Sequence, residues 1–159
     1  MKLHLADATA TKALASKLLS VLPVNTAGWT LLLEGELGAG KSTFARALIA
    51  AMGHPGAVPS PTYTLVEPYQ LAERIIYHID LYRISSEEEL RYLGWSELED
   101  GFRLVEWPDR APGLAKTADL RLSLSYEKNG RDAEFRGLNQ RGEAVAEKLA
   151  ASVSGHPED

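Results

Sequence analysis

Cysteine does not occur in the 159 residues, so disulfides, thiolate zinc sites and thiol catalysis are all excluded. A basic excess is missing too: 17 Lys and Arg against 22 Asp and Glu leave a net charge of −5. Free-standing nucleic-acid binders draw affinity from cations clustered on phosphates, so that class is disfavoured, while membership of an RNA-handling assembly stays open. Long apolar runs are absent. The longest uncharged stretch, residues 47–66, is broken by Gly53, Pro55, Gly56, Pro59 and Pro61 and cannot form a membrane helix. The opening Met-Lys-Leu-His-Leu-Ala-Asp lacks the apolar core of a signal peptide. The expectation is an acidic, soluble, cytoplasmic protein with no membrane attachment.

What is present is ordinary globular usage, 45% hydrophobic and 25% charged, in a chain of one-domain length. One domain is expected over residues 1–153, with a disordered tail at 154–159. Helices are expected over 9–22, where Leu14, Leu18 and Leu22 recur at i, i+4, and over 41–52, 87–93 and 143–153. Ser85 or Ser86 would cap the third of these. Short strands are expected over 29–34, 62–69, 74–80 and 102–107. Residues 119–126 alternate as a half-exposed strand, Asn129-Gly130 makes a hairpin turn, and 133–138 return. Early alternation of strand and helix followed by a late hairpin points to an α/β fold with a mixed, mostly parallel sheet flanked by helices.

Gly35-Glu-Leu-Gly-Ala-Gly-Lys-Ser42 matches G-x-x-x-x-G-K-[ST] at every fixed position. Gly35, Gly38 and Gly40 let backbone N–H groups curl around phosphate oxygens with no side chain in the way. Lys41 reaches the terminal phosphates, the Ser42 hydroxyl can hold Mg²⁺, and the following helix points its positive end at the same place. The motif lies between an apolar strand and an amphipathic helix, the setting a phosphate loop requires. A nucleoside triphosphate is the expected ligand. The guanine signature N-K-x-D and the switch signature D-x-x-G occur nowhere, which leaves ATP.

Phosphoryl transfer also needs acids to hold the metal and orient water, set at strand ends near the loop. Asp80 ends Ile75-Ile-Tyr-His-Ile-Asp80 and Glu106 ends Phe102-Arg-Leu-Val-Glu106. Either can take the metal, with the other acting through water. Trp107 is placed to cover a nucleotide or a partner, and His78, two residues before Asp80, reads as a structural histidine on the same side. Ser60-Pro-Thr62-Tyr-Thr64 forms a hydroxyl-rich turn suited to sensing the γ-phosphate. Arg110, Arg131 and Arg136 are candidate phosphate clamps.

Together these blocks, with Ser60-Pro-Thr-Tyr-Thr-Leu-Val66, His78-Ile-Asp-Leu-Tyr-Arg83, Gly94-Trp95 and Leu104-Val-Glu-Trp-Pro-Asp-Arg110, resemble the TsaE (YjeE) family of P-loop ATPases. The resemblance implies a P-loop NTPase-like fold. It also implies slow, Mg²⁺-dependent ATP hydrolysis coupled to a TsaB–TsaD pair that carries out threonylcarbamoyl modification of tRNA beside the anticodon. Carried over position by position, Gly38, Ala39, Gly40, Lys41, Ser42 and Thr43 hold phosphates, and Ser42 and Glu106 hold Mg²⁺. Asp80 matches a functionally important acid, and Thr11 and Arg131 fall where relatives touch nucleotide. Access to tRNA would run through the partners. Two other classes share the phosphate loop: a small-molecule kinase, for which the segment 109–119 offers no arginine-rich lid, and a nucleotide-gated binding module with negligible turnover.

Overall fold

The computed structural model describes residues 1–59, 61 and 64–154. Seven strands form one sheet in the order β1-β7-β6-β2-β5-β4-β3. They are β1 (Lys2–Leu5), β2 (Thr30–Glu34), β3 (Val66–Gln70), β4 (Ile75–Asp80), β5 (Phe102–Glu106), β6 (Leu120–Glu127) and β7 (Gly130–Gly137). The central four, β6, β2, β5 and β4, run parallel, and β7, β1 and β3 extend the edges antiparallel. The expected mixed α/β architecture is therefore present, its parallel part confined to the middle. β2 and β5 are buried along nearly their whole length, as central parallel strands must be.

The two faces of the sheet bury different sets of residues. Helices α1 (Ala8–Val21), α2 (Lys41–Ala51) and α4 (Gln140–Ser154) cover one, where Leu14, Leu18, Phe44, Leu48 and Leu149 pack on Leu31, Leu33, Leu104 and Leu122. Short turns cover the other: α3 (Glu89–Tyr92) and the 3₁₀ segments Trp95–Leu98, Pro108–Arg110 and Pro112–Lys116, packed on Leu32, Ile79 and Val105. Asp7 caps α1, its carboxylate accepting the Ala10 N–H at 2.9 Å. Among the described residues no helix is long and apolar enough to cross a membrane.

Several local expectations need correction. Strand β1 adds to the expected elements. Its four residues alternate Lys2 and His4 outward, and only Leu5 is fully buried. β3 starts at Val66 rather than 62, because Pro61 and Leu65 close a turn at 2.8 Å and Leu65 takes φ 67°. Thr62 and Tyr63 lie outside the described residues. β5 ends at Glu106, since Trp107 turns into the left-handed region at φ 58°. Helix α3 is shorter than 87–93 and has no serine cap. Glu89 instead accepts the Ser85 N–H at 2.8 Å, and Glu87 is drawn to the Gly113 N–H at 2.5 Å. The hairpin turns on Lys128–Asn129, one residue earlier than expected, and Gly130 already pairs with Glu127. At the chain end Ser154 is still helical, and 155–159 lie outside the described residues.

Candidate functional site

Strand β2 delivers the chain at Glu34 to the loop 35–40, and α2 starts at Lys41 on the far side. Gly40 sits at the helix N-cap at φ 106°. Gly35 (φ 149°) and Gly38 (φ 80°) occupy backbone conformations that side chains rarely adopt. Neighbours reinforce the requirement, because a Cβ on Gly35 would press on the Leu124 carbonyl and one on Gly38 on the Tyr126 hydroxyl. The helix therefore presents its free N–H groups and its positive end to the space above the loop.

Two carboxylates close that space. Asp80 and Glu106 are register partners on the parallel pair β4 and β5, so both emerge at the strand ends on the α2 side. The Ser42 hydroxyl donates to Glu106 Oε1 at 3.1 Å. His78 Nε2 lies 2.6 Å from the other oxygen, Oε2, with both side chains almost fully buried. Asp80 Oδ1 accepts the Tyr82 N–H at 2.9 Å. Burial pushes the Asp80 carboxyl above its usual range; the Tyr82 N–H, His78 and Lys41 oppose that shift, and Glu106 adds to it.

Lys41 is folded back. Its Nζ donates to the Gly35 carbonyl and, at 3.3 Å, to that of Glu36, beneath the Trp107 ring at 3.7 Å from the centroid. Burial pulls its ammonium below the usual lysine range, against the attraction of Glu106, Asp80 and Asp109. The remaining pocket, lined by loop residues with Ser42, Thr43, Asp80, Glu106 and Trp107, measures about 190 Å³. Sites for whole small-molecule ligands usually run from about 300 Å³ upward, so this space suits a phosphate chain rather than an entire nucleotide.

The other expected residues divide. Arg131 stands beside the loop, donating to the Gly38 carbonyl at 3.3 Å and lying over Tyr126 at 4.1 Å. Ala39, within the loop, is buried. Thr11 does not line the pocket; it is buried in the first turn of α1 with its hydroxyl 3.4 Å from the Asp7 carbonyl. Arg136 is engaged by Glu134 at 2.5 Å, and Arg110 lies over Tyr82 at 5.3 Å. Of the hydroxyl-rich turn, Thr64 is exposed, while Ser60 and Thr62 lie outside the described residues.

A family model described as threonylcarbamoyl adenosine biosynthesis protein TsaE matches residues 5–134, most of the chain. The chain belongs to the TsaE family. A relative from Haemophilus influenzae, named tRNA threonylcarbamoyladenosine biosynthesis protein TsaE, is 42% identical over 65% of this chain and 66% of its own. The protein of the same name from Nostoc is 35% identical over 87% and 86% respectively. Among solved structures, YdiB of Bacillus subtilis superposes with a TM-score of 0.73 at 26% identity, covering 97% of this chain and 96% of that one. The matched span of this TsaE-family chain contains the phosphate loop, both carboxylates and Arg131.

Two residues at the site carry no functional signal in the sequence. From the sequence His78 reads as structural; alternation along β4 places it on the side of Asp80 but does not reveal its reach to Glu106. Tyr126 ends the alternating stretch of β6, and its hydroxyl donates to the Leu37 carbonyl at 3.0 Å, bracing the loop. Among the described residues no group of three or more His, Asp or Glu side chains is placed to hold a metal by itself. Mg²⁺ commonly takes one or two protein oxygens and completes its shell from phosphates and water. Ser42 and Glu106 supply such a pair of oxygens at the head of α2.

Proposed function

We propose that this protein is the ATP-binding and ATP-hydrolysing subunit of a tRNA threonylcarbamoyladenosine machinery, working in the cytoplasm with TsaB and TsaD. The observation that carries the reading is the Ser42–Glu106 contact at the N-terminus of α2, beside a loop whose three glycines take positive φ. The pathway comes from the family and from relatives named for that modification. With a net charge of −5, contact with tRNA is expected through the partners.

The roles follow from the chemistry of each group. Lys41 leaves the Gly35 and Glu36 carbonyls for the terminal phosphate oxygens, and the loop amides hold the remaining charge. Ser42 and Glu106 are the residues that would hold Mg²⁺, which when bound with ATP offsets charge on the transferring phosphoryl group. Asp80, raised in pKa by burial, orients the attacking water or the ion's hydration shell. Trp107 covers the site, and the 60–64 turn reports the γ-phosphate to a partner. The folded-back Lys41 also favours a second reading, a nucleotide-gated module with little turnover of its own.

Phosphate release from ATP decides between them, measured with and without Mg²⁺ for the chain alone and with TsaB and TsaD. The proposed role expects stimulation by the pair and a loss of about 100-fold in Lys41→Ala and Glu106→Ala. Normal hydrolysis by Lys41→Ala sinks the mechanism. Bound ATP without stimulation favours the gated module, and a phosphorylated metabolite would reveal a kinase.

A further inference from the structure

Glu106 is held at both oxygens, and the partner on the inner side is a residue with no assigned role. Oε1 accepts from Ser42 at 3.1 Å, at the wall of the phosphate pocket. Oε2 lies 2.6 Å from His78 Nε2, on a histidine 0% exposed beside a glutamate 2% exposed. A carboxylate buried this far loses its hydration and needs a fixed donor in its place. His78 is that donor, and the fold leaves it little freedom to be anything else. Its Cα pairs with Leu104, two residues before Glu106 on the neighbouring strand, so the ring reaches diagonally along the same sheet face.

The tautomer follows from the partners. The carboxylate oxygen has no proton to give, so Nε2 carries the hydrogen that bridges the pair. The second ring nitrogen, Nδ1, is buried with no hydrogen-bond partner among the described residues. The other neutral tautomer would bury an N–H at Nδ1 without an acceptor and turn the Nε2 lone pair on the carboxylate, which again places the hydrogen on Nε2. A histidine kept only for packing would not need this orientation.

We propose that His78 is a positioning residue: its Nε2–H pins Oε2 of Glu106, so that Oε1 alone stays aimed at Ser42 and at the divalent cation accompanying the triphosphate. This rests on the ATPase reading above and deepens it, because it assigns metal affinity, rather than nucleotide affinity, to a buried side chain that does not line the pocket. Outer partners that orient ligating carboxylates are commonly worth 10- to 100-fold in metal affinity.

The test compares His78→Leu, His78→Asn and His78→Gln in the full chain. Glutamine can place an amide N–H near the Nε2 position; asparagine places it near Nδ1 and falls short of Glu106. Two titrations are read: a non-hydrolysable fluorescent ATP analogue in EDTA, and Mn²⁺ added to the protein–analogue complex, followed by electron paramagnetic resonance. His78→Leu and His78→Asn are expected to raise the half-saturating Mn²⁺ concentration by about 10- to 100-fold, with metal-free analogue affinity within about twofold of wild type. His78→Gln is expected to recover most of the loss. An unchanged Mn²⁺ titration in His78→Asn, or equal impairment in His78→Gln, overturns the proposal while the ATPase reading stands. Loss of folding in both His78→Leu and His78→Asn assigns the residue to the core and overturns it as well. A wild-type chain that binds no analogue overturns both readings together.

Discussion

Lys41 rests beneath the indole of Trp107, its Nζ 3.7 Å from the ring centroid, and the indole in turn leans on Tyr82 at 4.9 Å. Trp107 reaches this position from the left-handed region, φ 58° and ψ 50°, at a cost of about 1–2 kcal/mol for a residue with a side chain. A cation over an indole is worth about 0.5–2 kcal/mol, enough to offset most of that strain. The arrangement holds the lysine on the carbonyls of Gly35 and Glu36.

Binding should therefore be visible in the tryptophan emission. Trp29 and Trp95 are packed against Arg141 and Arg103, on the β2 and β5 strand ends remote from the phosphate loop. When ATP draws Lys41 off Trp107, the emission should change in the wild type and in Trp95→Phe, and remain flat in Trp107→Phe. A change that persists in Trp107→Phe would place the reporter elsewhere.

Asp80 gives a pH-dependent trade between stability and activity. Burial raises its pKa above the ordinary 3.8, so the contribution to stability is full below that value and is lost as pH rises through the folded pKa. At neutral pH the ionised side chain is a net cost to the fold. Asp80→Asn, which never ionises, should resist urea better than wild type at pH 7.5 in metal-free, nucleotide-free protein, with the advantage shrinking toward pH 4. The same variant should lose phosphate release. A variant less stable than wild type at pH 7.5 would mean that the carboxylate is held by partners strong enough to outweigh its burial.

How far this site was legible in the sequence depends on the range of each interaction. The phosphate loop, α1, α2, β2 and the acids ending β4 and β5 carry their own patterns in consecutive residues, and they lie where those patterns place them. Strand β1 does not. It exists through pairing with β7, about 130 residues away, and its polar residues alternate with only Leu5 fully buried. The hairpin turn slipped for a similar reason: Gly130 is needed inside β7, where a Cβ would strike the Leu5 carbonyl, so Lys128–Asn129 take the corner. His78 shows the same limit at the site. Period-2 alternation gives the side it faces, whereas its bond to Glu106 depends on the register between two strands.

At the opposite end of β2, Asp119 gathers the sheet and α4. It is 1% exposed and accepts from the Thr30 N–H at 2.9 Å, Asn139 at 2.7 Å and Arg141 at 2.6 Å. Asp119→Ala removes both carboxylate oxygens, deprives all three partners of their acceptor and leaves the Thr30 N–H buried and unpaired. Urea unfolding should report a loss of about 3 kcal/mol. Thr30 and Glu34 are four residues apart, about 13 Å of strand, so ATP affinity of the folded fraction should stay at the wild-type value. A parallel fall in affinity would mean that the two ends of β2 are coupled.

Gly35 and Gly38 separate a clash that can relax from one that cannot. At Gly38 the obstacle to a Cβ is the Tyr126 hydroxyl, the far end of a side chain on an exposed strand end. At Gly35 it is the Leu124 backbone carbonyl inside the sheet. Gly38→Ala should therefore weaken ATP binding, and Tyr126→Phe in the same chain should restore part of it by clearing the hydroxyl. The restoration stays partial because φ 80° still costs alanine about 1–2 kcal/mol, and because the Tyr126–Leu37 brace is lost. Gly35→Ala has no such remedy, and adding Tyr126→Phe should leave its defect unchanged. Binding titrations of the two single variants and the two doubles form the comparison. Equal rescue at both positions would show that the loop relaxes as a whole, and that the two glycines answer one constraint rather than two.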